Sequence, residues 1–277
     1  MCRPTYYTIA YEINPWMSVK RQTHRSRALR QWSQLYDTLT QKLQARVHLL
    51  PSRAGVPDLV FTANAGLVTE RLPAAPTKAL GLAAQAGTII RSNFRFPERQ
   101  REEPLVEAYF TQRGYRVVRL PRRYTFEGEG DALWMNDTLV FGFRFRSDAP
   151  THEALARLLR ARVLPVELAD RRFYHLDTCF CPLDAHSALW FPKAFDRYGR
   201  KVLKGLVADP IAVSESDATR FVCNTIVLGS NIVMPSGASA HLRRALTRRG
   251  FRLYPMELSE FLKAGGSAKC LVLRLTS

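Results

Sequence analysis

The sequence predicts an α/β fold in which a small unit of strand, strand, helix and strand recurs about five times within one catalytic domain, residues 1–277. Segments with helical periodicity alternate with short apolar segments along the chain. Polar turn residues join further apolar segments in pairs, as in β-hairpins. No linker rich in Gly, Pro or Ser divides the sequence. We therefore expect the units to stack around one axis as a closed, propeller-like domain.

Six segments carry apolar residues three or four positions apart, the spacing of one face of an α-helix. The first is amphipathic and places Leu29, Trp32, Leu35 and Leu39 on one side. The predicted helices cover residues 24–46, 98–113, 151–162, 192–206, 238–249 and 257–264.

A short apolar strand is predicted after each of the first five helices, where the chain returns to its sheet. These strands are Val47–Leu50, Tyr115–Leu120, Leu164–Leu168, Pro210–Val213 and Phe251–Tyr254. The sixth helix leads instead through Gly265–Gly266 into a final strand, Leu271–Leu275.

Three further pairs of strands are joined by two to four polar turn residues, which favours hairpins. They are Ala132–Met135 with Leu139–Phe143, Cys179–Leu183 with Ala188–Phe191, and Thr225–Leu228 with Ile232–Met234. The segment Arg71–Lys78 contains two prolines and is predicted to be a surface loop.

The composition is that of a globular protein, 46% hydrophobic and 23% charged. No segment approaches the roughly 18 consecutive apolar residues of a membrane span. The first ten residues lack the basic and apolar regions of a secretory signal, so we expect a cytoplasmic protein without a membrane partner. The five cysteines are therefore expected to be reduced.

The net charge of +17 admits three interpretations. A basic patch could bind nucleic acid through its phosphates. The charge could instead belong to an ordinary solvated surface, or attract a substrate that bears a carboxylate. The basic residues are scattered over the predicted outer helices, without zinc-finger spacing or an aromatic-rich motif. We therefore expect a solvated surface rather than a nucleic-acid partner, and a basic nucleic-acid-binding module stays open as the non-enzymatic alternative. The oligomeric state, a homodimer included, stays open as well.

Polar residues precede the strand pairs, at the end where the strands of a closed ring would converge. The residues at these points that could carry chemistry are Asp58, Asn64, Glu127, His175, Asp177 and Cys270. An attacking thiolate, an acid/base and a group that orients the base are what nucleophilic catalysis requires. We therefore expect one pocket on the ring axis, built from residues far apart in the sequence.

Each of these residues also has a purely structural interpretation. A lone cysteine on a strand is usually a small buried apolar side chain, and a lone histidine is usually structural. The pair Gly265–Gly266 beside Cys270 favours a site, because glycine permits close approach of the backbone. Cys179 and Cys181 with His175 suggest a metal site, but no second cysteine pair completes it. The prediction is therefore a site without a metal or other cofactor.

Together these motifs resemble the guanidine-modifying superfamily of arginine deiminases, dimethylarginine dimethylaminohydrolases and amidinotransferases. The resemblance runs from Asp58 to Leu275, and the order of the motifs agrees. It implies the pentein fold, a five-bladed, pseudo-symmetric α/β propeller of ββαβ units. It also implies that Cys270 is the nucleophile, His175 the general acid/base, and Glu127 the carboxylate that grips the guanidinium and orients His175.

The resemblance further implies how the small guanidine substrate is held. Asp58 lies in a stretch similar to a substrate-binding loop, and Asp177 would hold a guanidine nitrogen, as in deiminases and amidinotransferases. Arg146 matches an arginine that binds the carboxylate of the amino acid. Arg95 is a second candidate for the same role.

Asn64 departs from the family pattern, since deiminases and dimethylaminohydrolases usually carry an aspartate there. A similar Ala-Asn-Ala segment occurs in succinylarginine dihydrolases. An amide both donates and accepts hydrogen bonds, so Asn64 could hold a neutral ureido group as well as a guanidinium.

The expected function is cysteine-dependent hydrolysis of the guanidine group of arginine or a methylarginine, similar to that of dimethylarginine dimethylaminohydrolases. A thiouronium-type adduct on Cys270 would form with loss of ammonia or an alkylamine, and water would then release citrulline. Two enzymatic alternatives stay open. One is a dihydrolase that continues to ornithine, which Asn64 favours. The other is an amidinotransferase, in which an amine replaces water.

Overall fold

The computed structural model describes residues 1–72 and 87–275. Within these two ranges, the strands form four three-stranded mixed sheets of the same pattern. In each sheet two antiparallel strands form a hairpin, and a third strand joins the second in parallel. The sheets are β1–β3 (Gly66–Thr69, Thr88–Arg91, Arg116–Arg119), β4–β6 (Ala132–Met135, Thr138–Phe143, Arg162–Glu167), β7–β9 (Phe180–Pro182, Ser187–Trp190, Asp209–Ala212) and β10–β12 (Ile226–Leu228, Asn231–Pro235, Arg252–Met256).

Helical segments connect the second strand of each sheet to the third, because a parallel pair cannot be joined by a tight turn. The described α-helices are α1 (Arg25–Asp37), α2 (Pro97–Gln100), α3 (Glu103–Gln112), α4 (Thr151–Leu159), α5 (Arg197–Leu206), α6 (Glu215–Ala218), α7 (Ala240–Arg248) and α8 (Ser259–Leu262). Among the helices of the described ranges, none has the length and apolar character to cross a bilayer. The predicted α/β fold of repeated strand, strand, helix, strand units is thus observed four times.

The connecting helices are amphipathic, and their apolar side packs on the sheets. α7 buries Leu242 and Leu246, and it begins after Ser239, whose hydroxyl accepts a hydrogen bond from the N–H of Leu242. α5 begins after Asp196, whose carboxylate accepts a hydrogen bond from the N–H of Gly199 at 2.7 Å. Each cap satisfies an N–H group that has no partner within its helix, which fixes where the helix begins.

Four predicted helices are shorter or more broken than expected. The first ends as an α-helix at Asp37 and continues as a short π-helix, Thr38–Lys42. The second divides into α2 and α3, because Pro104 has no N–H to donate to a preceding turn. The fourth becomes helical only from Arg197, after its cap, and the sixth is the single turn α8.

The predicted final strand Leu271–Leu275 is wrong. The chain forms a short 3-10 turn at Lys269–Leu271 and then runs extended without joining any of the described sheets. Side chains from distant turns form hydrogen bonds with the main-chain N–H and C=O groups of this segment. The N–H of Arg274 donates to Glu129 Oε2 at 3.1 Å, and the carbonyl oxygen of Leu271 accepts a hydrogen bond from Thr62 Oγ1 at 2.9 Å, which competes with a strand ladder.

The predicted strand Val47–Leu50 is reduced to a single parallel bridge between Leu50 and Cys2. A strand pair is predicted after Asn64, but the sequence pattern does not define where its two strands, β1 and β2, begin and end. The predicted loop Arg71–Lys78 lies outside the described residues from position 73 onward.

Three of the sheets begin their first strand directly after a 3-10 turn that carries polar residues. These turns are Thr62–Ala65 before β1, Gly128–Gly130 before β4 and Leu176–Thr178 before β7. They pack against one another, and Lys269–Leu271 packs against the first of them. The repeated unit therefore brings four turns, separated by up to two hundred positions in the sequence, to one end of the sheets.

Candidate active site

Four of the predicted site residues, Glu127, His175, Asp177 and Cys270, meet at these packed turns. All four are buried, with exposed fractions of 2% or less. Their side chains form two contacting pairs, Glu127 with His175 and Asp177 with Cys270. Since polar groups buried this deeply need partners, the four side chains form a candidate active site.

Glu127 is the ionised carboxylate of the site. Its Oε2 accepts a hydrogen bond from Arg146 Nη1 at 3.0 Å and lies 2.8 Å from His175 Nε2. Burial favours a raised pKa for Glu127, but the charge of Arg146 and the contact with His175 outweigh burial and hold that pKa well below its ordinary value. Glu127 is therefore charged at neutral pH.

His175 is neutral at the same pH and presents one ring nitrogen to the site. Burial lowers the pKa of His175 to about 4, although the hydrogen bond to Glu127 opposes that shift. An ionised carboxylate only accepts hydrogen bonds, so we assign the ring proton to Nε2, facing Glu127. Nδ1 is then an acceptor, and none of the described residues gives it a hydrogen bond. In this state the ring can take a proton from a thiol or from water.

The Cys270 thiol lies between Asp177 and Asn224. Its Sγ is 3.4 Å from Asp177 Oδ2 and 3.1 Å from Asn224 Nδ2. Burial, followed by the negative charge of Asp177, raises the pKa of Cys270 well above its ordinary value. Cys270 is therefore a thiol before substrate binds. The sequence placed Asn224 at the start of a strand pair but gave it no role.

Three buried acceptor atoms indicate a ligand rich in N–H groups. Asp58 Oδ1, Asp177 Oδ1 and His175 Nδ1 are without a hydrogen-bond partner in the part of the chain that the structure describes. Burial raises the pKa of Asp58 and brings that of Asp177 to about 7, against the opposing charges of Arg99 and Lys269 respectively. An unsatisfied buried polar atom costs about 1–3 kcal/mol, so a planar guanidinium would stabilise the site.

Asn64 lies in the same site, and the orientation of its amide is fixed. Arg99 Nη1 donates to Asn64 Oδ1 at 2.8 Å, and because a guanidinium only donates, the NH2 group of Asn64 lies on the other side. That group donates to the carbonyl oxygen of Glu127 at 3.5 Å. A Cβ at Gly130 would lie 2.2 Å from Asn64 Nδ2 and 3.2 Å from the His175 ring. Glycine at this position allows the amide and the imidazole to be neighbours.

Arg99 is a site residue that the sequence analysis missed. Its buried guanidinium makes two 2.8 Å hydrogen bonds to the carboxylate of Glu102 and donates to the carbonyl oxygen of Asp58 at 3.2 Å. Arg99 thereby ties the Asp58 turn to the Asn64 turn. The polar run Glu98–Glu103 around it is typical of an exposed helix, so no local pattern selects this arginine.

The two arginines predicted to bind the substrate carboxylate lie in different surroundings. Arg146 is buried between the rings of Phe96 and Tyr174, 4.9 and 4.7 Å from their centres, and its charge is paired with Glu127. Arg95 is 35% exposed at the edge of the site, where its N–H donates to Glu127 Oε1 at 3.3 Å. Arg146 thus supports the catalytic pair, and the binding of a substrate carboxylate by either arginine stays a prediction.

Asp131 fixes the positions of both Glu127 and His175. One of its oxygens accepts a hydrogen bond from Ser147 Oγ at 2.7 Å, and Ser147 Oγ accepts the N–H of Glu127 at 3.1 Å. The other oxygen accepts the N–H of Leu176, which follows His175, at 3.1 Å. The contact between His175 and Glu127 is therefore set by the backbone as well as by the side chains.

The segment Ile13–Asn14, here called the N-terminal cover, lies over the site at the end of the sheets where the 3-10 turns pack. The carbonyl oxygen of Ile13 accepts a hydrogen bond from Arg146 at 3.2 Å, and the amide of Asn14 donates to the carbonyl oxygen of Ala264 at 3.1 Å. Gly265 has a φ of +79°, and a Cβ there would lie 3.0 Å from Asn14 Oδ1. This glycine therefore allows the cover to approach the loop that leads to Cys270.

The alkylation of Cys270 is expected to depend on pH through Asp177. Since the thiolate is the reactive form, the rate with iodoacetamide should still be rising above pH 9 in the substrate-free protein. Asp177→Asn removes a negative charge that raises the pKa of Cys270, so its rate curve should move to lower pH. Mass spectrometry of the Cys270 peptide measures the rate, with Asp137→Asn at an exposed turn as the control. A curve that does not move contradicts the electrostatic coupling.

Comparison with known proteins gives relatives that match along the whole chain. A family model described as N,N dimethylarginine dimethylhydrolase, eukaryotic, matches residues 10–277. The bifunctional arginine dihydrolase/ornithine cyclodeaminase AgrE of Nostoc sp. is 44% identical over 100% of this chain, which spans only 37% of AgrE. The N(G),N(G)-dimethylarginine dimethylaminohydrolase of Mycobacterium tuberculosis is 35% identical over 99% of this chain and 84% of its own length.

The fold is also similar to that of solved structures. Two crystal structures of the N-terminal domain of ArgZ, a cyanobacterial arginine dihydrolase, match with a TM-score of 0.90 and 40% identity over 100% of this chain and 97% or 96% of theirs. One is a cysteine-to-serine variant with bound substrate. The other is an asparagine-to-serine variant covalently bound to a reaction intermediate.

The fold and these relatives place the chain in the guanidine-modifying superfamily, as the sequence motifs predicted. Within that superfamily, the chain belongs to the dimethylarginine dimethylaminohydrolase family, whose model it matches from residue 10 to residue 277.

Proposed function

We propose that the protein is an arginine dihydrolase, which converts arginine and two waters to ornithine, two molecules of ammonia and carbon dioxide. The observation that carries this proposal is Asn64, a neutral amide whose NH2 group is held beside the catalytic histidine. The similarity to AgrE and ArgZ, both named as arginine dihydrolases, supports it. Citrulline, the product first expected from the sequence, would correspond to stopping after one hydrolysis.

The first half of the reaction forms a covalent adduct. The carboxylates of Asp58, Glu127 and Asp177 accept the N–H groups of the guanidinium, whose positive charge stabilises the Cys270 thiolate. His175 Nδ1 takes the thiol proton, and the thiolate attacks the central guanidine carbon. His175 then returns the proton to one terminal nitrogen, which leaves as ammonia. A positively charged thiouronium remains on the cysteine.

The second half adds water and reaches a branch point. Water gives a proton to His175 and adds to the thiouronium carbon. If the Cys270 thiolate leaves the tetrahedral intermediate, citrulline forms. If His175 protonates the second terminal nitrogen instead, ammonia leaves, the hydroxyl proton passes to solvent and a thiocarbamate stays on Cys270. A second water breaks its C–S bond and releases the carbamate of ornithine, which decomposes to ornithine and carbon dioxide.

Asn64 favours the second branch because it offers a hydrogen-bond donor to oxygen. The oxygen that water adds becomes a carbonyl oxygen in either branch, and an N–H that holds this oxygen leaves the second terminal nitrogen free for His175 to protonate. A carboxylate at position 64 would repel that oxygen and hold the departing amino group instead. The residue at this position therefore decides between one hydrolysis and two.

A substrate panel tests the proposal. The purified protein is incubated with arginine, asymmetric dimethylarginine and citrulline, and ornithine, citrulline, ammonia and dimethylamine are quantified. We expect ornithine from arginine, two ammonia molecules for each ornithine, and little free citrulline. Citrulline as the sole product would contradict a dihydrolase.

Hydrolysis of dimethylarginine is the second candidate function, because the matching family model and the mycobacterial relative both carry that name. The acceptors of the site favour unsubstituted arginine over it. A dimethylated nitrogen has no N–H to donate, so Asp58 Oδ1 or Asp177 Oδ1 would stay unsatisfied. Dimethylamine release at a rate comparable to ammonia release from arginine would favour this second function.

Asn64→Asp is expected to raise the ratio of citrulline to ornithine by about tenfold or more, since it replaces the only donor at this position with an acceptor. Chromatography of the products from arginine measures the ratio. Asn231→Asp makes the same change of charge on the outer hairpin and should leave the ratio as in the wild type. An unchanged ratio in Asn64→Asp means that another residue selects the branch.

We also propose that the four sheets belong to a five-bladed propeller that forms a single catalytic domain. The parallel bridge between Cys2 and Leu50, with α1 between them, has the order of the last two strands of a unit and their helix. Leu273, in the extended C-terminal segment, packs in the same apolar cluster as Cys2 and Leu50. Both ends of the chain therefore contribute to the fifth unit.

A further inference from the structure

A second cavity of about 540 Å³ lies behind the catalytic turns. It is lined by the first strands of all four sheets together with Lys269, Val272 and Arg274. The first strands begin at the catalytic turns and run toward the hairpin turns, and the cavity follows β4 from Ala132 to the exposed Asn136. The cavity therefore opens at the end of the sheets opposite to the N-terminal cover.

Only a thin partition separates this cavity from the active site. Glu129, which lines the cavity, is two residues from the catalytic Glu127, and Lys269 directly precedes Cys270. The partition is an ion pair, with Lys269 Nζ 2.6 Å from Glu129 Oε2. Lys269 also donates to the carbonyl oxygen of Val272 at 3.0 Å. The same turns thus hold catalytic side chains on one side and cavity-lining side chains on the other.

The active site is closed on its other side. Hydrogen bonds from Arg146 to Ile13 and from Asn14 to Ala264 hold the N-terminal cover, and Tyr174 Oη donates to a neighbouring carbonyl oxygen at 2.8 Å. In the dihydrolase reaction the adduct stays on the cysteine from the first loss of ammonia until ornithine is released. Two waters must enter and two ammonia molecules must leave while the substrate chain fills this side.

We propose that the cavity is the route by which water enters and ammonia leaves the active site, past the Glu129–Lys269 pair. The proposal rests on the covalent reaction proposed above. Water and ammonia are similar in size, and both form hydrogen bonds. Either molecule can therefore pass between the carboxylate of Glu129 and the ammonium of Lys269 by hydrogen bonding to them. The pair is close to neutral as a unit, so it does not repel a small neutral molecule. The apolar strands around it exclude the charged substrate chain.

Filling the cavity far from the catalytic residues tests this route. Val227 is half-buried on β10 and lines the cavity, so Val227→Trp narrows it without touching the ion pair. We expect kcat with arginine to fall about tenfold or more, because release and water access become limiting. The adduct on Cys270 should accumulate at steady state, measured by acid quench and mass spectrometry of the intact protein.

Three matched variants complete the experiment. Val227→Ala widens the cavity, and Val117→Trp adds the same bulk on β3, outside the cavity; both should keep the wild-type kcat. Leu133→Trp on β4 repeats the test from another strand if Val227→Trp does not fold. A wild-type kcat and no adduct in a folded, cavity-filled variant would overturn the route. Failure of the proposed function is distinct, since the wild-type protein would then release no ornithine from arginine.

Discussion

Cys270→Ser is expected to lower kcat with arginine by at least about 10⁴-fold, while arginine still binds. A serine hydroxyl is far less acidic than a thiol. In addition, burial and the neighbouring carboxylate of Asp177 disfavour a negative charge on the side chain at position 270. The guanidinium that stabilises a thiolate is not sufficient to produce an alkoxide at neutral pH. Steady-state release of ammonia measures kcat, and calorimetry measures the binding of arginine.

Cys2→Ser is the matched control for this prediction. Cys2 is also buried, with 1% of its surface exposed, and burial raises the pKa of its thiol to about 12. It lies in a different apolar cluster from Cys270, so its replacement should leave kcat unchanged. Turnover by Cys270→Ser at the wild-type rate, or an adduct found on another cysteine, would refute the assignment of the nucleophile.

His175→Ala should lower kcat with arginine by about 10³-fold or more, because one residue supplies the acid for ammonia and the base for water. The fold should tolerate the change, since Arg146 remains paired with Glu127 and Asp131 still holds the backbone at Leu176. Thermal unfolding of the variant checks this point. A loss of activity that parallels a loss of folded protein would show a structural role instead.

A substrate with a better leaving group separates the two roles of His175. An arginine analogue that carries an alkylthio group in place of one terminal nitrogen releases a thiolate, which does not need protonation. With this analogue, adduct formation in His175→Ala should recover while hydrolysis stays slow. The adduct on Cys270 should then be visible by mass spectrometry. If the analogue and arginine are affected equally and no adduct appears, His175 is not the general acid.

The electrostatics of the substrate-free site agree with a nucleophile that only substrate activates. Burial keeps His175 neutral, with its pKa at about 4, and keeps Cys270 protonated. One carboxylate oxygen of Asp58 and one of Asp177 have no hydrogen-bond partner among the described residues and can accept N–H donors of a ligand. A cationic guanidine therefore supplies both the charge that favours the thiolate and the hydrogen bonds that the site lacks. This coupling limits the reaction of the cysteine with other electrophiles.

The sequence by itself determined the repeating unit and the residue types at its turns. Apolar periodicity located the hairpins β4–β5, β7–β8 and β10–β11 to within two residues, because hairpins depend on local turn chemistry. The polar residues before the first strands, including Glu127 and His175, were identified for the same reason, whereas Cys270 was placed before a strand that does not form. Their position at the start of a strand is a local property, and the symmetry of repeated units brings such positions together.

The tertiary structure alone decided which charges pair and where the backbone groups are satisfied. Three contacts join residues that are too far apart in the sequence for a local pattern to predict. They are the contacts of Arg99 with Asn64, Lys269 with Glu129, and Arg146 with Glu127. The expected final strand failed for the same reason, since distant side chains bind its main chain. Apolar periodicity indicates which side chains are buried, but it does not indicate which partner each buried polar group bonds to.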